Sequence, residues 1–226
     1  MQAEIERRKG IGRAYSGNSI FSSKIVCACC GGFFGSKVWH STSKYKRTVW
    51  QCNHKFKNGE KCGTPHLYED EIKKRFVSVC RVVGDLKDEF IVSCRDVIEI
   101  LSDCTALDKR IRERYDHLNC LAKEMQEFIR VHAMSPQEKG VYEKKTAEYE
   151  EKRAEGEAKL LEVKQQKVER MSRRELLIGM VDEIEKNGVM TADFDEKLWR
   201  LIVEKVTVNT DGSMVFTLRN GMEIRK

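Results

Sequence analysis

Nine cysteines are the residues of this 226-residue chain best suited to chemistry, and four of them fall into a metal-binding rhythm. Cys27 and Cys30 are separated by two residues, and Cys52 and Cys62 follow as a second, wider pair. Zinc is borderline soft and takes four thiolates in a tetrahedron, with sulfur at about 2.3 Å. A Cys-x-x-Cys turn lets two sulfurs reach one ion, and Gly31 after Cys30 tolerates the positive φ of such a turn. The wider second half needs a loop, which Asn58-Gly59 can turn. Four sulfur ligands leave no open position, so the spacing predicts one structural zinc ion and not a hydrolytic centre. Cys29 could replace a neighbour as ligand, and His54 and His66 are further substitutes better suited to surface or supporting positions.

The other cysteines, Cys29, Cys80, Cys94, Cys104 and Cys120, show no disulfide framework, as expected in a reducing compartment. No apolar run approaches the ~20 residues that span a bilayer, and the charged start from Met1 to Lys9 does not resemble a signal peptide. A cytoplasmic protein without a membrane partner is therefore expected.

Charge divides unevenly along the chain. Residues 1–68 hold 12 Lys+Arg against three Asp+Glu, whereas the remaining 158 hold 30 against 33. The basic character belongs to the cysteine-bearing region and is either a solvated basic surface or a site for a polyanion, most simply nucleic acid, with double-stranded DNA the expected partner. The candidate contacts are Arg8 and Arg13 in a Gly/Ser-rich linker over residues 1–20, and Lys37, Lys44, Lys46 and Arg47 in a hairpin. That hairpin runs out through Phe33–His40 and back through Arg47–Cys52, with a hydroxyl-rich tip suited to phosphate. A short strand over Phe21–Val26 is expected to lead into the first cysteine turn.

Downstream the period changes from two to about 3.6. Ile72, Phe76, Val79, Cys80 and Val83 lie on one helical face, and Phe90, Ile91, Cys94, Val97, Ile98 and Leu101 on a second. Cys104, Leu107, Ile111, Leu118, Leu121, Met125 and Phe128 occupy heptad positions, interrupted by Arg114. Ser135-Pro136-Gln137-Glu138 restarts the helix as a capping box, and Tyr142, Thr146, Tyr149, Leu160 and Val163 continue the seam. A helical hairpin with arms of about 45 Å follows, which is either a rigid spacer or a projecting arm whose tip near residues 131–140 meets another protomer. A second capping box, Ser172-Arg173-Arg174-Glu175, is expected to start a separate helix that stops at Asn187-Gly188. Asp193-Phe194-Asp195-Glu196 opens the last helix, and Val203–Val208 and Met214–Leu218 flank the turn Asp211-Gly212 as a hairpin, with Asn220-Gly221 turning into Met222–Ile224.

The expected fold class is α+β: a small zinc β-ribbon with packed helices and a closing β-hairpin, carrying a long inserted antiparallel coiled coil. The expected parts are a basic linker (1–20), the ribbon and following helices (21–103), the coiled-coil arm (104–171), and return helices with the closing hairpin (172–226).

These residues carry a resemblance. Tyr15-Ser16-Gly17-Asn18, Ile25-Val26-Cys27 with Cys30-Gly31, Lys37-Val38-Trp39-His40, Trp50-Gln51-Cys52-Asn53-His54-Lys55 and Pro65-His66-Leu67 together resemble the zinc β-ribbon of large serine recombinases. Leu201–Val208 is similar to the strand that follows their coiled coil. The chain departs from the family at Cys29, where a non-ligating polar residue is usual, and at Tyr68, where a Ser or Thr would cap a helix. The resemblance implies the DNA-binding C-terminal region of a transposon- or phage-type integrase, bacterial or phage-encoded and nucleoid-associated. It further implies that the coiled coil joins DNA-bound protomers, that the catalytic serine domain precedes this region, and that no residue here is catalytic. A zinc-ribbon and coiled-coil adaptor that binds proteins without DNA specificity is the alternative.

Overall fold

The computed structural model describes residues 19–55, 62–134 and 139–226. The linker over residues 1–18, the Asn58-Gly59 turn and the Ser135–Glu138 capping box lie outside them. The chain divides into two compact units, one comprising the described residues up to Cys94 together with Gly179–Lys226, the other those of Arg95–Ile178.

The first unit holds two sheets. One is antiparallel, with β2 (Phe34–Trp39) and β4 (Leu67–Tyr68) on either side of β3 (Arg47–Cys52). In the other, β1 (Ile25–Cys27) runs parallel to β5 (Val203–Val208), which continues antiparallel into β6 (Met214–Leu218) and β7 (Glu223–Arg225). Alternation along β6 sets the face, with Met214, Phe216 and Leu218 buried between half-buried Val215 and Thr217. The parallel pair puts Ile25 opposite Val206 and Cys27 opposite Val208. The closing strands are thus hydrogen-bonded to the segment that enters the first cysteine turn.

The expected strand over Phe21–Val26 is shorter and later than the alternation suggested. Residues 20–24 form tight turns, with Ser22 N–H donating to the Ser19 carbonyl and Ser23 at φ 62°. The turns drive Phe21 inward. Its ring meets Trp50 at 5.8 Å, Phe194 at 5.6 Å and Trp199 at 4.7 Å, and Phe76 and Phe216 complete the cluster around Trp199. Edge-to-face rings of this kind contribute beyond their buried area. The Trp199 indole N–H donates to the Ile20 carbonyl at 3.3 Å, and that of Trp50 to Glu69 at 3.2 Å.

Helix α1 (Glu69–Asp85) brings Phe76 to this cluster on a face that also buries Ile72, Val79, Cys80 and Val83. Tyr68 occupies its N-cap without a side-chain hydrogen bond, and Glu69, Asp70 and Glu71 place negative charge in the first turn, where the helix dipole favours it. Arg75 reaches from α1 to the carbonyls of Gly212 and Lys226 at 2.8 and 2.9 Å, tying the helix to the meander. Helix α2 (Lys87–Ser102) follows, then α3 (Thr105–Met134) and α4 (Lys139–Asn187). The short α5 (Glu196–Ile202) is capped by Asp195, whose carboxylate accepts from the N–H groups of Lys197 and Leu198.

Helix α4 corrects one expectation. The Ser172–Glu175 box starts no new helix, because α4 runs unbroken through it. Neither Gly nor Pro precedes Ser172 closely enough to stop propagation, and a capping box acts only where the backbone leaves the helix. The helix ends at Asn187, where Gly188 adopts φ 74° and its N–H donates to the Ile184 carbonyl.

Within the second unit, side chains of α3 and α4 meet in antiparallel order. Cys104 contacts Met171, Asp108 pairs with Lys167 at 2.5 Å, Tyr115 accepts from Lys164 at 2.6 Å, and Phe128 stacks near Tyr142. Leu121, Met125, Leu160 and Val163 are buried. Gly156 leaves room for Leu118, whose methyl would lie 2.7 Å from any Cβ there.

Candidate metal centre and nucleic-acid face

The Cys27–Cys30 turn is closed by backbone bonds. Gly31 N–H donates to the Cys27 carbonyl at 2.9 Å, Cys27 N–H to the Gly32 carbonyl at 2.8 Å, and Gly31 takes φ 67°. The end of β5 pins the same turn, since Ala28 N–H donates to the Val208 carbonyl at 2.9 Å. Across from it, β3 ends in Cys52, whose sulfur accepts from His54 N–H at 3.4 Å, while Asn53 N–H bonds to the Phe33 carbonyl at 3.0 Å.

Folding so brings the sulfurs of Cys27, Cys30, Cys52 and Cys62 within 4.8 Å of one another. Cys27 lies 3.3 Å from Cys62, and Cys30 lies 3.4 Å from Cys52. Four sulfurs at zinc's preferred distance would stand about 3.8 Å apart, so small adjustments would seat one structural zinc ion. Cys29 and His54 are exposed and His66 is half-buried, and all three lie outside the cluster, which leaves the four-cysteine set among the described residues.

Thr64 was not legible as part of this site. It is fully buried, and its hydroxyl stands 3.1 Å from the Cys62 sulfur and 3.3 Å from that of Cys27. Burial works to raise the Cys62 thiol, but the Thr64 hydroxyl and N–H outweigh it, helped by Cys27 and Cys52, and hold it down to about 6. Loss of hydration raises Cys30 and Cys52 instead. The Thr64 hydroxyl and N–H thus favour the thiolate form of Cys62, and zinc would supply the charge that deprotonates its neighbours.

Of the cations expected to meet DNA, Lys37, Lys44, Lys46 and Arg47 are all exposed on the β2–β3 hairpin, and Arg8 and Arg13 lie outside the described residues. Strand register separates the faces. Trp39 stands opposite Arg47, Lys37 opposite Val49, and Val49 opposite Tyr68, so these share one face. The other face carries the buried Phe34, Trp50 and Leu67 and, toward the hairpin tip, the exposed Ser36 and Val38. On the face that carries Arg47, where Val49 is buried and Lys37 and Arg47 are exposed, the Trp39 and His66 rings are 4.8 Å apart, His66 and Tyr68 5.5 Å, and the Arg47 guanidinium lies 4.7 Å from the Tyr68 ring centre. Sequence reasoning missed this aromatic row because Tyr68 enters through β4, a two-residue strand with no period to read, and His66 lies just before it.

No helix among the described residues is long and apolar enough to cross a membrane. No curated protein and no solved structure matches the chain. Residues 20–81 match the family model described as the recombinase zinc beta ribbon domain, and the four clustered cysteines all fall within it.

Proposed function

We propose that this chain is the sequence-specific DNA-binding region of a site-specific serine recombinase, recognising attachment-site DNA through its zinc ribbon. The observation that carries the reading is the match of residues 20–81 to a recombinase zinc ribbon whose four cysteines converge. Zinc would hold the loops after β1 and β3 together, and the exposed Lys37, Lys44, Lys46 and Arg47 would meet the duplex, with Arg8 and Arg13 tracking it from the linker. Lysine and arginine on a carboxylate-free strand face suit phosphate and base edges. In this reading strand cleavage belongs to the serine domain of the parent recombinase, and the present chain positions DNA.

The segment 104–171 would act as an antiparallel coiled-coil arm inserted between residues 21–103 and 172–226, joining DNA-bound protomers. The antiparallel contacts between α3 and α4 support an arm of this kind.

Selection of bound duplexes from a random pool by the zinc-loaded chain, followed by sequencing, tests the DNA reading. An enriched motif is expected; absence of any duplex binding would replace it with a protein-binding adaptor. For the arm, deleting residues 107–165 is expected to leave binding to one site intact and abolish pairing of two. Loss of single-site binding would count against it.

A further inference from the structure

Arg47 differs from the other cations of the hairpin. Lys44 and Lys46 sit in the turn region between β2 and β3, beyond the paired strands, whereas Arg47 is the first residue of β3, in register with Trp39. Its guanidinium lies over the Tyr68 ring at 4.7 Å, and among the described residues no carboxylate pairs with it. The residues sharing its face, Lys37, Trp39, Val49, His66 and Tyr68, include no acid.

Stacking on an aromatic face restrains a guanidinium while leaving its edge N–H groups free. An edge so presented matches the O6 and N7 acceptors of guanine, which a planar fork engages with two hydrogen bonds in the major groove. A two-stranded ribbon is narrow enough to enter that groove. The Tyr68 ring is in turn backed by His66, and His66 by Trp39, in a continuous row.

We propose that Arg47 is the specificity-determining residue of the ribbon, reading a guanine in the major groove, with Tyr68 as its positioning residue, while Lys44 and Lys46 meet phosphate. The proposal rests on the DNA reading above and adds a division of labour to it.

The test compares the wild-type chain, Arg47→Lys, Tyr68→Leu, Tyr68→Phe and the double variant Lys44→Ala/Lys46→Ala, each confirmed to carry zinc. Each is titrated with the selected duplex and with a scrambled one over a range of salt. Arg47→Lys keeps the charge but loses the planar fork. It is expected to weaken binding to the selected duplex by about tenfold to a hundredfold and leave the scrambled duplex and the salt slope unchanged. Tyr68→Leu should lose part of the same discrimination and Tyr68→Phe should retain it. The double lysine variant should weaken both duplexes and flatten the salt slope by up to about two.

Equal binding of Arg47→Lys and wild type on both duplexes, or equal losses on both, would overturn the assignment. Duplex binding by the wild type without an enriched motif would also overturn it while leaving DNA binding standing. Failure of the wild type to bind any duplex would bring down the DNA reading itself, and the assignment with it.

Discussion

Thr64 places its hydroxyl 3.1 Å from the Cys62 sulfur, two residues away, inside the fully buried floor of the metal centre. A group so placed orients a metal ligand without touching the metal. Thr64→Val keeps the shape and removes the hydroxyl, so zinc affinity is expected to fall about tenfold to a hundredfold in a competition titration with a chromophoric chelator. Thr64→Ser should retain most of the affinity.

Cysteine replacements should sort by cluster membership. Cys27→Ser and Cys52→Ser are expected to lose the single equivalent of zinc measured by elemental analysis, and Cys29→Ser to keep it. A Cys29→Ser protein without zinc would mean that the knuckle register is wrong.

Trp199 touches four other aromatic rings, from Phe21, Phe76, Phe194 and Phe216. Trp199→Ala should destabilise the chain by about 3–5 kcal/mol in a denaturant titration, by loss of transfer energy and creation of a cavity. Tyr45, 64% exposed at the hairpin tip, supplies the contrast. Its replacement by Ala should stay within about 0.5 kcal/mol.

Cys80 and Cys94 are both fully buried, and burial pushes each thiol up to about 12, with Asp195 adding to the effect at Cys80. Between an unfolded value near 9 and a folded value near 12, the unfolded chain releases a proton that the folded chain keeps. Stability is therefore full below pH 9 and falls as pH rises through that window, by about 1.4 kcal/mol per pH unit for each thiol. Thermal melts from pH 8 to 11 should show the decline, and Cys94→Ala should make it shallower. A Tm that stays flat to pH 11 would contradict the assignment.

Gly188 ends α4 at φ 74°. An L side chain is strained there, so Gly188→Ala should cost about 1 kcal/mol despite the open space around the position.

What could be read in the sequence follows from how local each signal is. The bounds of β5 and β6 were legible because Asp211-Gly212 fixes the turn and the flanking residues alternate. Cys27, Cys30, Cys52 and Cys62 were legible because zinc constrains residue type and spacing together. Three features were not. The pairing of Ile25 with Val206 joins segments almost the whole chain apart, and a three-residue strand carries no register of its own. Ser172 looked like a cap because the motif is local, whereas the continuation of α4 depends on the residues around it. The stacking of Arg47 on Tyr68 needed β4 to be seen beside β3.

The parallel pairing of β1 with β5 also sets an order of events during synthesis. All four cysteines have been made by residue 62, so zinc can fasten the ribbon early, from segments close in sequence. β1 must then wait for β5, which ends at Val208. At about 5–20 residues per second the delay is on the order of ten seconds or more, during which one side of β1 is an open strand edge. Metal availability at the ribosome would thus govern how that interval is spent, either as a fastened knuckle awaiting its last strand or as a loose segment free to pair elsewhere.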